Sequence, residues 1–448
     1  MNDMDTPAAP GTGPVRDCGC PEFEGFRLSR RRLLGAMAAG GALATAGMYS
    51  GAYRQVAYGA APGGNVLVVL SMRGGADGLS IVVPRSTEYD LLAGYRPSIV
   101  VPEGQLWGDD PRFGFHPALK AGLEDLWTAG SFGAVHAVGL PESNMSHFDA
   151  MVEIEEATPG ADQRVGWINR MVGLDAANGP ETAVEIGDAM LPTSLMGPAN
   201  ALAAYGVADL SVRSLGTTGE RAEALKAMWK DDPRLLGGSV RTAMKALDTF
   251  APLVAAADSD PSEVHRDLYP GYAGYDDWGP LKDVLANTAA LIRADLGTSM
   301  ITIDYGDWDM HVGLSDGSLD PGTDWMAAQL DHLGGSLKAF FADLGAHAGR
   351  VTVVTMSEFG RRVDENGDHG LDHGYGNVML LFGAGVAKGV HGSFPGLTTL
   401  DPDNNLIADK DFRDILWEVT TARLGISESD RTTVFPGLGP VTPIGLMT

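Results

Sequence analysis

The chain has 448 residues, 44% of them hydrophobic, with 58 acidic side chains against 32 basic ones and a net charge of −26. An acid excess of that size argues against nucleic acid or an anionic membrane surface as a partner. The two cysteines, Cys18 and Cys20, both precede the first apolar run, so beyond it neither a disulfide nor a thiolate ligand can form.

The first element in chain order reads as an address. Ser29-Arg30-Arg31-Arg32-Leu33-Leu34 opens a Gly- and Ala-rich apolar run from Leu33 to Met48, and Ala57-Tyr58-Gly59 offers small residues for cleavage. A charged start, a short apolar middle and a small-residue end make a secretory signal. The paired arginines point to the twin-arginine translocase, a route that exports folded proteins. Residues 1–59 are therefore expected to be a signal peptide. Residues 60–448 are expected to act in the periplasm or outside the cell, with no stable membrane span after cleavage.

The rest alternates strand-like and helix-like runs. Asn65–Met72 is continuously apolar, as a central strand covered on both faces must be. Gly133–Val138, Ala183–Ile186, Met300–Asp304, Val351–Met356 and Val378–Phe382 look similar. Between them, Asp324–Leu344 carries apolar residues at spacings of three and four, and Pro117–Trp127 and Phe412–Leu424 are further helices. Such alternation predicts an α/β fold, a doubly wound, mostly parallel sheet with helices on both faces. Residues 206–296 show helical patterns (Ala222–Lys230, Arg234–Ala257, Leu281–Leu296) around a loop-like stretch, Asp258–Pro280, and read as a helical insertion or cap.

In open α/β sheets, ligands bind beyond the carboxyl ends of the strands. There the chain places Arg73-Gly74-Gly75-Ala76-Asp77, then Asp304 to His311, then Ser357-Glu358-Phe359-Gly360-Arg361. Just before another strand comes Asp368 to Gly374, with Asp372 and His373. Carboxylates and imidazoles without cysteine suit a divalent metal: zinc, manganese or magnesium. Asp307 and His311, four apart, share a face if helical and can converge if in a loop. A second constellation is Ser146-His147-Phe148-Asp149, where Ser146 and Asp149 resemble a capping box at the start of a helix, Ser146–Glu156. A hydroxyl there also sits in a field that stabilises anions.

These motifs, Arg73-Gly-Gly-Ala-Asp-Gly-Leu79, Phe115-His-Pro-Ala-Leu119, Ser146-His-Phe-Asp149, Asp304-x-x-Asp-Trp-Asp309, Ser357-Glu-Phe-Gly-Arg361 and Asp372-His373, resemble the exported domain-of-unknown-function family numbered 1501. That family is grouped by similarity with the alkaline phosphatase and sulfatase superfamily. The resemblance implies an alkaline phosphatase-like fold. It implies that Asp77 ends the first strand as a metal ligand and that Ser146 is the nucleophile. Asp307-x-x-x-His311 and His373 would hold one metal. A second metal near Asp77 and Glu358 would lack its usual histidine, because Phe359 stands there.

Two classes of function are compatible with these residues. One is a metal-dependent hydrolase of small phosphate or sulfate esters, in which Ser146 attacks and Arg73 or Arg361 grips the oxyanion. The other is a non-catalytic exported protein of the same fold, a binding or envelope-assembly partner.

Overall fold

A computed structural model describes residues 62–160, 164–210, 220–233, 235–258 and 280–448. The signal segment and most of the loop-like stretch before Pro280 lie outside the described residues. Eleven strands are present among those described. They are β1 (Val66–Met72), β2 (Val82–Pro84), β3 (Phe113–Phe115), β4 (Phe132–Gly139), β5 (Ala183–Ile186), β6 (Leu202–Ala204), β7 (Met300–Tyr305), β8 (Val351–Met356), β9 (Asn377–Gly383), β10 (Gly389–His391) and β11 (Lys410–Asp411). Nine form one sheet in the order β10-β4-β9-β8-β1-β7-β5-β6, with β11 also paired to β4; β2 and β3 make a separate pair. Every contact in the large sheet is parallel except those of β9, which runs antiparallel to both β4 and β8.

The continuous apolar run of β1 is explained by its neighbours. All seven residues are buried, because β1 is flanked by β7 and β8 and covered on both faces. Val66, Val68, Leu70 and Met72 enter one core and Leu67 and Val69 the other, the alternation a pleated strand dictates. The first core is closed by α1 (Lys120–Thr128) and two longer helices. Those are the helices at Leu281–Ala294 and Trp325–Leu344, the latter contributing Leu330, Leu333, Leu337 and Phe340. On the opposite face lie α2 (His147–Glu156), with Ala150 and Ile154, and the helix Phe412–Leu424, with Ile415, Leu416 and Val419. The expected doubly wound, mostly parallel sheet is thus present.

Between β6 and β7 the described residues hold only helical elements, among them Glu220–Trp229, Leu235–Asp258 and Leu281–Ala294. Among the described residues no helix is long and apolar enough to cross a membrane. The direction of β9 has the largest effect on the strand ends. Because it opposes its neighbours, its first residues lie at the edge where β1, β7 and β8 end.

Candidate metal centre

Four chain segments meet at that edge: the turn after β1, the segment after β7, the segment after β8 and the approach to β9. A fifth, the start of α2, closes over them. His147, the first residue of α2, is buried and faces inward. The Nε2 atoms of His147 and His373 are 3.0 Å apart, and those of His311 and His373 are 2.9 Å apart. Asp309 Oδ1 lies 3.1 Å from His311 Nε2, 3.6 Å from His147 Nε2 and 3.7 Å from His373 Nε2.

Each imidazole is also held from behind. His373 Nδ1 donates to the Met145 carbonyl at 2.9 Å. His311 Nδ1 meets Asp372 Oδ1 at 3.2 Å, and His147 Nδ1 meets Glu358 Oε1 at 3.4 Å. An acceptor at Nδ1 takes the single proton of a neutral imidazole and leaves Nε2 as a lone pair. Three such lone pairs and a carboxylate facing one point call for a cation among them, either a metal ion or a proton carried by His147. Ligands about 2.0–2.1 Å from a tetrahedral zinc stand about 3.3–3.4 Å from each other, and the separations here bracket that value. Asp309 adds one further sign: its Oδ2 is buried and has no hydrogen-bond partner among the described residues. His147, Asp309 and His373 form a group able to hold a metal ion, and His311 sits against it.

Charge in the cluster obeys the same geometry. Burial disfavours the charged form of Asp309, but the three histidines and Arg361 hold its carboxyl far below the usual range. Burial likewise lowers His147, yet Asp309 and Glu358 outweigh it and lift the imidazole to about 9. Glu358 is held below its ordinary value against burial by His147 and by its own, Gly74 and Gly75 backbone bonds. Gly74 and Gly75 N–H groups reach its two oxygens at 2.8 and 2.9 Å. That turn needs both glycines: their φ values are +116° and +69°, and a Cβ would meet the Asp309 backbone at 2.6 Å or the Phe359 ring at 2.7 Å.

Of the residues expected from sequence, His311 and His373 come together, with Asp372 and Glu358 behind the ring nitrogens. Asp307 does not join them. The segment after β7 is not helical; Asp307 takes φ +67° and is exposed. Asp309, two residues from His311, turns inward instead. Asp77 is spent elsewhere: it caps Ser80 N–H at 2.9 Å and holds Arg96 at 2.5 and 3.0 Å, both side chains being fully buried. Burial would raise its carboxyl, but Arg96 keeps it below the ordinary value.

Arg361 donates to the Gly74, Gly75 and Leu371 carbonyls and reaches Asp309 Oδ1 at 2.6 Å. Arg73 pairs with Glu155 at 2.6 Å and Asp304 at 2.9 Å. Ser146 stands at the N-cap of α2, but its side chain makes no capping bond, so the capping box with Asp149 is not formed. Asn144 instead accepts the Ser146 N–H at 3.1 Å. The residues that sequence reasoning misses are His147 and Asp309. Both stand inside motifs already singled out, next to Ser146 and two residues from Asp307. Phe359 packs 4.7 Å from the rings of both His147 and His373, so His147 brings an imidazole to Glu358 that residue 359 does not.

Beside the centre, Arg73, Glu155 and Asp304 adjoin Glu185 on β5. Glu185 is 1% exposed; one oxygen accepts from Thr302 and the other is buried without a partner among the described residues. Burial lifts its carboxyl from the ordinary 4.5 to about 9. The folded chain therefore keeps a proton that the unfolded chain releases. Stability from this group is full below about pH 4.5 and is lost as pH rises towards 9, by about 1.4 kcal/mol per pH unit at the steepest. Glu185→Gln keeps the acceptor for Thr302 and removes this slope. Denaturant unfolding at pH 5 and pH 8 (about those values) should show wild type losing stability relative to the variant; parallel behaviour of the two would contradict the assignment.

The profile of a family described as "Protein of unknown function (DUF1501)" matches residues 117–413. No curated protein matches the chain. Among solved structures, alkaline phosphatase from the Antarctic bacterium TAB5 is similar at 12% identity, covering 72% of this chain and 92% of its own, with a TM-score of 0.26. A histidine-to-glutamate variant of that enzyme with magnesium in its M3 site gives 13% identity, 71% and 91% coverage and a TM-score of 0.27. Similarity at that level carries no argument about this chain's chemistry.

Proposed function

The chain belongs to this family of proteins of unknown function, and from the chemistry of its centre we propose that it is an exported, metal-dependent hydrolase of phosphate or sulfate esters. The observation that carries the reading is the convergence of three Nε2 atoms on Asp309, each imidazole fixed from behind. Three nitrogens and one oxygen suit zinc or manganese better than magnesium, which prefers oxygen. His147, Asp309, His311 and His373 would hold the ion. When bound, it supplies Lewis acidity towards an ester oxygen.

The chain's own groups have assigned tasks. Glu358, Asp372 and the Met145 carbonyl keep the ring protons on Nδ1. Ser146 adjoins His147 at the N-terminus of α2, where the helix dipole favours negative charge, and would be the attacking hydroxyl. Export through the twin-arginine translocase rests on the arginine pair and apolar run of residues 29–59. The second reading, a non-catalytic exported binding partner, draws support from Arg73 and Arg361, whose guanidinium groups are already engaged within the protein.

Metal analysis of the purified protein and then a panel of phosphate and sulfate esters separate the two. Hydrolysis should require the metal, and Ser146→Ala should lose it by orders of magnitude while keeping fold and metal, since no capping bond is given up. Metal without turnover of any ester favours the binding protein. Turnover undiminished in Ser146→Ala removes Ser146 from the chemistry.

A further inference from the structure

We propose that Arg362 is the anion-holding residue of this centre, its guanidinium gripping the oxygens of a tetrahedral oxyanion, phosphate or sulfate, brought to the histidine cluster. The proposal rests on the metal-dependent function proposed for the centre. Three arginines cluster near the strand ends, and two of them are spent. Arg73 is bound by two carboxylates, and Arg361 by four carbonyls and Asp309. Arg362 differs. Its Nε is buried and has no hydrogen-bond partner, and its side chain makes no hydrogen bond or ion pair to another described residue. A guanidinium carries five N–H donors, and buried donors left unmade are rare in folded proteins. Such a group calls for a partner from outside the chain, and an oxyanion matches its fork.

Placement supports the role. Arg361 and His373 form an isolated antiparallel bridge, and the next pair is Arg362 with Asp372, joined by Arg362 N–H to the Asp372 carbonyl at 3.0 Å. Cross-strand neighbours project to one side of a ladder. Asp372 uses that side to reach His311 Nδ1 at 3.2 Å, so Arg362 leaves the backbone beside the same ligand. Its charge is among those acting on Asp372. Arg362 is half-buried while the Asp372 side chain is 52% exposed, which sets the pair at the solvent edge of the centre.

The surroundings favour a second cation beside the ion. Glu358, Asp309 and Asp372 are acidic, Arg361 is neutralised by Asp309, and the chain as a whole carries −26. An anionic ester approaches against that field, and a guanidinium beside the ion adds to its hold. Residue 362 meets its structural duties through its backbone: the N–H bonds Asp372, and the carbonyl accepts Arg96 Nη2 at 2.8 Å. The side chain is therefore replaceable without breaking those bonds.

Titration calorimetry of inorganic phosphate, and separately of sulfate, into the metal-loaded protein tests this. Arg362→Gln should weaken phosphate about tenfold to a hundredfold, and Arg362→Lys should recover part of the loss by keeping the charge without the fork. Metal content and melting temperature should match wild type. With an anionic ester, KM should rise more than kcat falls. Equal phosphate affinity in wild type and Arg362→Gln overturns the proposal, as does a wild type that takes up metal and binds neither anion. Calorimetry reads binding without turnover, so a failed ester panel and a failed role for Arg362 are told apart.

Discussion

His147→Ala should empty the metal centre. Removing a group behind a metal ligand typically costs about 10–100-fold in affinity, and removing a ligand itself should cost more. Metal analysis after dialysis is the direct measurement. Melting with and without added metal is the second, because an ion bound only by the folded state stabilises it by about 2.7 kcal/mol at a hundred times its dissociation constant. Wild type should show that gain and His147→Ala should not. Asp372→Asn, which leaves all four candidate ligands in place, should keep metal at reduced affinity. Retention of wild-type metal content and melting response by His147→Ala would remove His147 from the ligand set and leave the centre without its buried imidazole.

Asp77→Ala should do the reverse, destabilising the fold without touching the metal. It strands Arg96, a guanidinium 1% exposed, and breaking a buried pair from one side costs about 3–5 kcal/mol. The lost cap on Ser80 adds about 0.5–2 kcal/mol. Chemical denaturation should show a large drop in midpoint, while the protein that remains folded keeps wild-type metal content. An Asp77→Ala variant of normal stability that lacks metal would return Asp77 to the ligand set.

These two residues mark where the sequence is legible and where it is not. Buried strands announce themselves: β1, β5, β7 and β8 are apolar runs with turn residues at their ends, and each lies where that pattern puts it. The three-and-four spacing likewise locates Trp325–Leu344 and Phe412–Leu424. The short strands β2, β3, β6, β10 and β11, with two to three residues each, carry no such signal. Strand direction is not written in alternation at all, so nothing marks β9 as antiparallel. Asp77 resembles a strand-end ligand because its partner, Arg96, is 19 residues away, beyond two helical segments and β2. Asp307 and Asp309 are indistinguishable by residue type. Only the left-handed backbone at Asp307 decides which carboxylate turns inward. His147 is masked by Ser146 beside it, which offers a more familiar chemistry.

The antiparallel course of β9 also sets an order of events. His147 and His373 are 226 positions apart, and His373 reaches its place only when β9 has slotted between β4 and β8. An ensemble in which the chain from His373 onward is still loose holds two imidazoles at most, His147 and His311, on separate segments. Closing so long a span is a late and entropically expensive contact, with no local reward until it is made. If the centre takes up the proposed ion, tight capture would be a signature of completed assembly: a chain arrested before β9 docks should bind it weakly, and the seated ion would clasp together segments 226 positions apart.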